Sequence, residues 1–151
     1  MESQMVMDAL VQELLAKESL RRLTADYSHG LDKRDGPRFT SIWTQDAEWE
    51  SNPGGPFTVG LPDIMAMAEQ VWVAVPETHH WHFNHAIDVD VEAGTATGMC
   101  DAFSIAHFAD GRWTRTAITY RDTYVRQDGR WLIAQRLCQV HHQLPFAEPG
   151  P

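Results

Sequence analysis

Residues 81–91 read Trp81-His82-Phe83-Asn84-His85-Ala86-Ile87-Asp88-Val89-Asp90-Val91, and this stretch decides the fold. Trp81, Phe83, Ile87, Val89 and Val91 alternate with His82, Asn84, Asp88 and Asp90. A period of two puts each set on its own face of a β-strand. Toward the C-terminus the pattern repeats. Glu92-Ala93-Gly94 is a turn, residues 95–108 form a long strand, and Ala109-Asp110-Gly111 closes a hairpin. Residues 114–126, rich in Thr, Ile, Tyr and Val, form the next strand. Gln127-Asp128-Gly129 is a strong hairpin signal, and residues 131–142 form the last strand. The second half therefore reads as a four-stranded antiparallel meander.

Toward the N-terminus the period changes. Residues 62–73 read as a helix burying Ile64, Met65, Ala68 and Trp72. Asn52-Pro53-Gly54-Gly55-Pro56 is a loop, and residues 46–50 form a short strand. Pro37 suits the first turn of a short helix with Phe39, Ile42 and Trp43 on its buried face. Residues 8–31 read as a long helix on the spacing of Leu10, Leu14, Leu20, Leu23, Tyr27 and Leu31. Gly30 and Asp32-Lys33-Arg34-Asp35-Gly36 end it. Helices first and strands after give an α+β chain with helices packed on one curved sheet.

The 151 residues are expected to form a single domain, with a core over about 8–145 and a flexible tail over 146–151. Hydrophobic residues make up 43% of the chain, enough to fold on a core. Acidic residues outnumber basic ones 21 to 12, and the net charge of -9 argues against nucleic acid or a membrane as partner. Two cysteines, Cys100 and Cys138, make no disulfide framework, so a reduced, cytoplasmic setting is expected. The first residues carry Glu2, Asp8 and Glu13 and no basic run, unlike a signal peptide. No stretch approaches the ~20 apolar residues of a membrane span.

The histidines are concentrated. Glu77-Thr78-His79-His80-Trp81-His82-Phe83-Asn84-His85 holds half of the chain's 8, and His141-His142 lies near the end. Strand spacing points His80 and His82 to one face, as in a metal-ligand pair, with Asp88 or Asp101 as a third ligand. No Cys or Glu falls at a recognisable ligand spacing, so no metal site is expected. A histidine can also act as a general base when a carboxylate fixes its tautomer. Asp32 is a candidate carboxylate, because a charge directly after an apolar helix needs a reason. Taken singly, His79, His82, His85 and His107 read as surface or half-buried strand residues.

Several pieces resemble a SnoaL-like domain, a branch of the nuclear transport factor 2-like superfamily. They are Tyr27-Ser28-His29-Gly30-Leu31-Asp32-Lys33-Arg34-Asp35, the Asp46-Ala47-Glu48-Trp49 strand, His80 to Asn84, Tyr120-Arg121-Asp122-Thr123-Tyr124, Asp128-Gly129-Arg130-Trp131, and Arg136. The resemblance covers roughly residues 8–145. It implies a cone-shaped, curved mixed or antiparallel sheet wrapped around the N-terminal helices, with an internal pocket. Its functional relatives include lindane dehydrochlorinase, scytalone dehydratase and bile-acid 7α-dehydratase, lyases that use no cofactor.

Carried over by motif, the family's catalytic pair falls on His80 and Asp32. Tyr27 stands where the dehydratases use a tyrosine and the dehydrochlorinase a lysine, which favours dehydration over halide loss. Arg136 matches an arginine on the last strand. Asn84, Asp101, Trp43 and Met65 are the expected substrate contacts. The resemblance thus implies a cofactor-free dehydratase acting on a small, cyclic, hydrophobic molecule, in a chain that self-associates as a trimer or dimer. Alternatives are a ketosteroid-type isomerase, or a non-catalytic ligand-binding or accessory subunit like the small subunit of ring-hydroxylating dioxygenases. One feature opposes this scheme. Strict alternation sets His80 on the face opposite Phe83, Ile87 and Val89. Either a bulge near His82 restores its direction, or the outer face is apolar because it forms a subunit interface.

Overall fold

The chain folds as α1 (Glu2–Asp32), α2 (Gly36–Thr40), β1 (Trp43–Trp49), β2 (Thr58–Val59), α3 (Leu61–Ala74), β3 (Glu77–Asp90), β4 (Thr95–His107), β5 (Trp113–Gln127) and β6 (Arg130–Phe146). The structure is a computed structural model and describes residues 1–147. The sheet has six strands in the order β2-β1-β6-β5-β4-β3. The expected meander is present, since β3, β4, β5 and β6 pair in sequence and antiparallel. β1 adds to β6 in parallel, which makes the sheet mixed. The fold class is therefore the α+β arrangement expected, with the helices against one curved sheet.

Local chemistry explains the joints. Asp128 and Gly129 both have positive φ, 50° and 76°, as a two-residue β-hairpin turn of the type I′ kind requires. Gly30 lets α2 cross α1 closely, for a Cβ there would lie 2.8 Å from Phe39 Cβ. Asp35 caps α2 by accepting the Arg38 N–H at 3.1 Å. The Trp72 indole N–H donates to the Leu31 carbonyl at 2.8 Å, and so locks α3 to the end of α1.

Four expectations change. α1 begins at Glu2, and its buried stripe starts only at Ala16, while Leu10 and Leu14 are exposed. Trp43 opens β1 instead of closing α2, although it is buried as expected. β2 was not foreseen, and two residues are too short to show a period. Pro145 and Phe146 pair with Thr114 and Trp113, so the start of the expected tail is sheet. The described partners of β6 on its β1 side end at Arg136, so Pro145 has no ladder bond to lose there. The rest of that tail, from residue 148, lies outside the described residues.

The direction of His80 is settled by a bulge. Phe83 faces Asp101 and Ala86 faces Met99, so three steps on β3 match two on β4. Asn84 takes the extra place with φ 54°, a left-handed conformation that asparagine tolerates better than most residues. The bulge exchanges the two faces. Thr78 and Ile87 are both buried, while Trp81 and Phe83 are 49% and 47% exposed on the outside. No helix among the described residues is long and apolar enough to cross a membrane.

Candidate functional site

The site begins where α1 ends. Asp32 is the last residue of α1, held there by the bond from Trp72 to Leu31. Arg34 reinforces the joint by donating to the carbonyls of Trp72 and Pro76 at 3.2 and 2.6 Å. The Asp32 carboxylate then meets β3. Its Oδ1 accepts the Thr78 hydroxyl at 2.6 Å, and its Oδ2 accepts the His80 backbone N–H at 2.8 Å. Asp32 Oδ1 also lies 2.6 Å from His80 Nδ1.

A carboxylate only accepts, so the proton of this contact belongs to His80 Nδ1. In the neutral imidazole, Nε2 is then a bare acceptor, the form a general base needs. Burial works to raise the Asp32 carboxyl. The bonds and charge of His80, with those from Thr78 and the backbone, outweigh it and hold the carboxyl below its ordinary value. Asp32 therefore stays ionised beside the ring. His80 and Asp32 keep only 13% and 12% of their side-chain surface exposed.

His80 opens on a cavity of about 190 Å³ between helices and sheet. Its wall is mainly apolar, with Leu31, Trp49, Ile118 and Val140 among the lining residues. Tyr27 lines it too, and its ring meets that of His80 edge-on at 6.4 Å between centroids. Burial pushes the Tyr27 phenol well above its ordinary pKa, against the opposing charge of Arg136. It therefore stays protonated and can donate. Cys138 also lines the cavity. Burial, helped by the Glu50 charge, pushes its thiol up to about 12, so it is no thiolate nucleophile.

Arg136 is placed differently from a residue that contacts substrate. It is fully buried and grips Asp122 through two bonds, Nε to Oδ1 at 2.8 Å and Nη2 to Oδ2 at 2.7 Å. Its guanidinium lies 4.2 Å from the Tyr27 ring centroid and 4.7 Å from that of Tyr120. Those phenols stand in the cavity wall, and Arg136 does not. Its charge reaches the site through Tyr27.

The four expected substrate contacts do not line this cavity. Trp43 is buried in an aromatic cluster, 5.6 Å from Phe39 and 6.1 Å from Tyr27 by ring centroids. Met65 packs on the core from α3, near Gly36. Asp101 shares the outer face with Phe83, and its carboxylate accepts from Thr119 and Asn84 at 2.7 and 3.2 Å. Asn84 spends its side chain on that bond after forming the bulge. His82 points inward beside His80, as strand spacing requires, and its Nδ1 lies 2.8 Å from Ser28 Oγ. Burial, with Arg136 and His80 nearby, lowers His82 to about 3, so it is neutral. Among the described residues no cluster of His, Cys, Asp and Glu has the form of a metal site.

Residues not singled out from the sequence also shape the site. Thr78 sits one strand period before His80 and shares its carboxylate, a position the alternation could have flagged. Tyr120 packs 5.6 Å from Tyr27. Glu50 lines the cavity from the end of β1, and no pattern in the sequence announces it.

Known proteins share this architecture. Hexachlorocyclohexane dehydrochlorinase 1 of Sphingobium indicum is 28% identical over 147 residues, 93% of this chain and 94% of that protein. The gamma-hexachlorocyclohexane dehydrochlorinase of Sphingobium indicum is 27% identical over 93% of each. The crystal structure of a type 2 hexachlorocyclohexane dehydrochlorinase superposes with a TM-score of 0.84 at 26% identity, covering 93% of this chain and 99% of that one. A putative scytalone dehydratase from Novosphingobium aromaticivorans, 20% identical over 93% of each chain, shares the fold with a TM-score of 0.81. The SnoaL-like domain profile matches residues 12–137, most of the length, and the chain belongs to the SnoaL-like domain family.

Proposed function

We propose that this chain is a lyase that eliminates water from a cyclic, hydrophobic hydroxy-ketone without a cofactor. The observation that carries the reading is the 2.6 Å contact between His80 Nδ1 and Asp32 at the wall of a mainly apolar cavity. In the reaction, His80 Nε2 takes the proton from the carbon beside the carbonyl. The C–H electrons form the enolate, with Tyr27 donating a hydrogen bond to its oxygen. The enolate electrons then form the C=C bond as the C–O bond breaks. The imidazolium returns its proton to the departing oxygen, which leaves as water. Asp32 stabilises that imidazolium and keeps the tautomer. Proton transfer of this kind contributes about 10²–10⁴ in rate.

The relatives named as dehydrochlorinases support an elimination. Loss of chloride and loss of water share the first proton transfer. They differ in the leaving group, since hydroxide needs a proton and chloride needs none. A protonated phenol at the cavity favours the oxygen chemistry. A scaffold subunit has no use for such a dyad at a cavity. An isomerase would return the proton to carbon instead. The test is incubation with 3-hydroxy-1-decalone, followed by the ultraviolet absorbance of the conjugated enone. Growth of that band supports dehydration. Loss of label from the carbon beside the carbonyl, with no enone, would mean proton transfer without elimination.

A further inference from the structure

Glu50 is a cavity group that the proposed elimination does not use. It directly follows β1 and is 7% exposed. Its Oε1 accepts the Gly54 N–H at 2.9 Å, and its Oε2 accepts the Cys138 N–H at 2.9 Å. Those bonds fasten the loop after β1 to β6. A carboxylate offers about four lone-pair sites, so roughly half remain. Both bonds come from backbone N–H groups, and no side chain among the described residues donates to Glu50. Two backbone donors could be held by neutral groups. The spare lone pairs can accept a further donor, and Glu50 is the only carboxylate among the described residues lining the cavity. Glu50 and His80 reach the cavity from different strands, β6, β5 and β4 standing between β1 and β3 in the sheet order.

We propose that Glu50 determines specificity by accepting a hydrogen bond from a hydroxyl or amine of the substrate, on a part of the molecule other than the one His80 deprotonates. The proposal extends the elimination reading by naming the substrate class. The cavity takes an apolar ring body with a reacting ketone and a separate hydrogen-bond donor. It disfavours carboxylates, which repel Glu50, and rings carrying only halogens, which give it nothing.

Calorimetric titration with three matched probes tests this. They are 5-hydroxy-1-indanone, 5-methoxy-1-indanone and 1-indanone-5-carboxylate. None has a β-hydroxyl to lose, so the result is independent of whether the chain eliminates water. The wild-type chain is expected to bind the hydroxy probe roughly tenfold or more tighter than the methoxy probe, the range of a bond to a charged acceptor, and the carboxylate weakest. In Glu50→Gln the hydroxy preference should shrink to a few-fold and the carboxylate should gain. Thermal unfolding checks that the variant is folded, and the wild-type comparison stands without it. Equal binding of the hydroxy and methoxy probes by the wild-type chain would overturn the proposal. So would an undiminished preference in a folded Glu50→Gln variant, or no binding of any probe at millimolar concentration.

Discussion

Asp32 serves two purposes with one carboxylate. It fastens the end of α1 to β3 through Thr78 and the His80 backbone, and it orients the His80 ring. The two can be separated. Asp32→Asn keeps the shape but turns one acceptor into a donor, so the ring no longer has a single favoured tautomer. Enone formation should fall about 10²–10⁴-fold, while unfolding free energy falls by only about 1–3 kcal/mol. Equal activity in a folded variant would remove Asp32 from the mechanism. That His80, Asp32 and Tyr27 come together could be read from the sequence, because the family motif fixes their place. For Arg136 the sequence allowed a place at the substrate or an ion pair with Asp122 or Asp101, and it could not choose between them; the place of Glu50 in the lining could not be read at all. Counting back from the Asp128-Gly129 turn sets Asp122 opposite Gln135, but a register shift before Thr123 moves it opposite Arg136. Glu50 gives no signal, since a glutamate ending a strand before a Pro-Gly loop reads as solvated.

At the scale of elements, the bulge in β3 decides whether the site exists. Alternation alone turns His80 outward, and a single extra residue at Asn84 turns it in. A pattern of period two holds no record of where its phase slips, so the sequence left both directions open. Asn84→Gly should leave stability and activity nearly unchanged, because glycine accepts positive φ freely. Asn84→Val should destabilise the chain by about 1–2 kcal/mol, measured by denaturant unfolding. A valine variant as stable as the parent would show that β3 reaches the same register without the strained residue. The strands and turns were otherwise legible because Thr, Val, Ile and aromatic runs bounded by Gly turns have few alternatives.

For the whole molecule, burial and charge set the response to pH. His82 titrates near 3 in the folded chain against 6.5 ordinarily. Between those values the unfolded chain binds the extra proton, so stability is fully present above 6.5 and declines as pH falls. His85, lowered mainly by burial, acts in the same direction. Asp32, held low, adds its loss only further down, in the carboxylate range. Chemical unfolding across the upper part of this window should show the decline, with a smaller slope in His82→Gln. A flat profile would contradict a buried neutral His82. The outer face of the sheet leads to a second expectation. Trp81, Phe83 and Met99 are 49%, 47% and 40% exposed, and they lie close together on β3 and β4. An apolar patch of this kind predicts self-association. Light scattering should give the mass of a dimer or trimer, reduced to the monomer by Trp81→Glu with Phe83→Glu. A monomeric wild-type chain would contradict it.

The most direct test of the central claim is turnover of 3-hydroxy-1-decalone by His80→Ala beside the wild-type chain, with thermal unfolding recorded for both. The account predicts enone formation by the wild-type chain and a loss of about 10²–10⁴-fold in the variant. The variant should still unfold cooperatively, since Asp32 keeps its bonds to Thr78 and the backbone. Enone formation at the same rate in a folded His80→Ala variant would contradict the account.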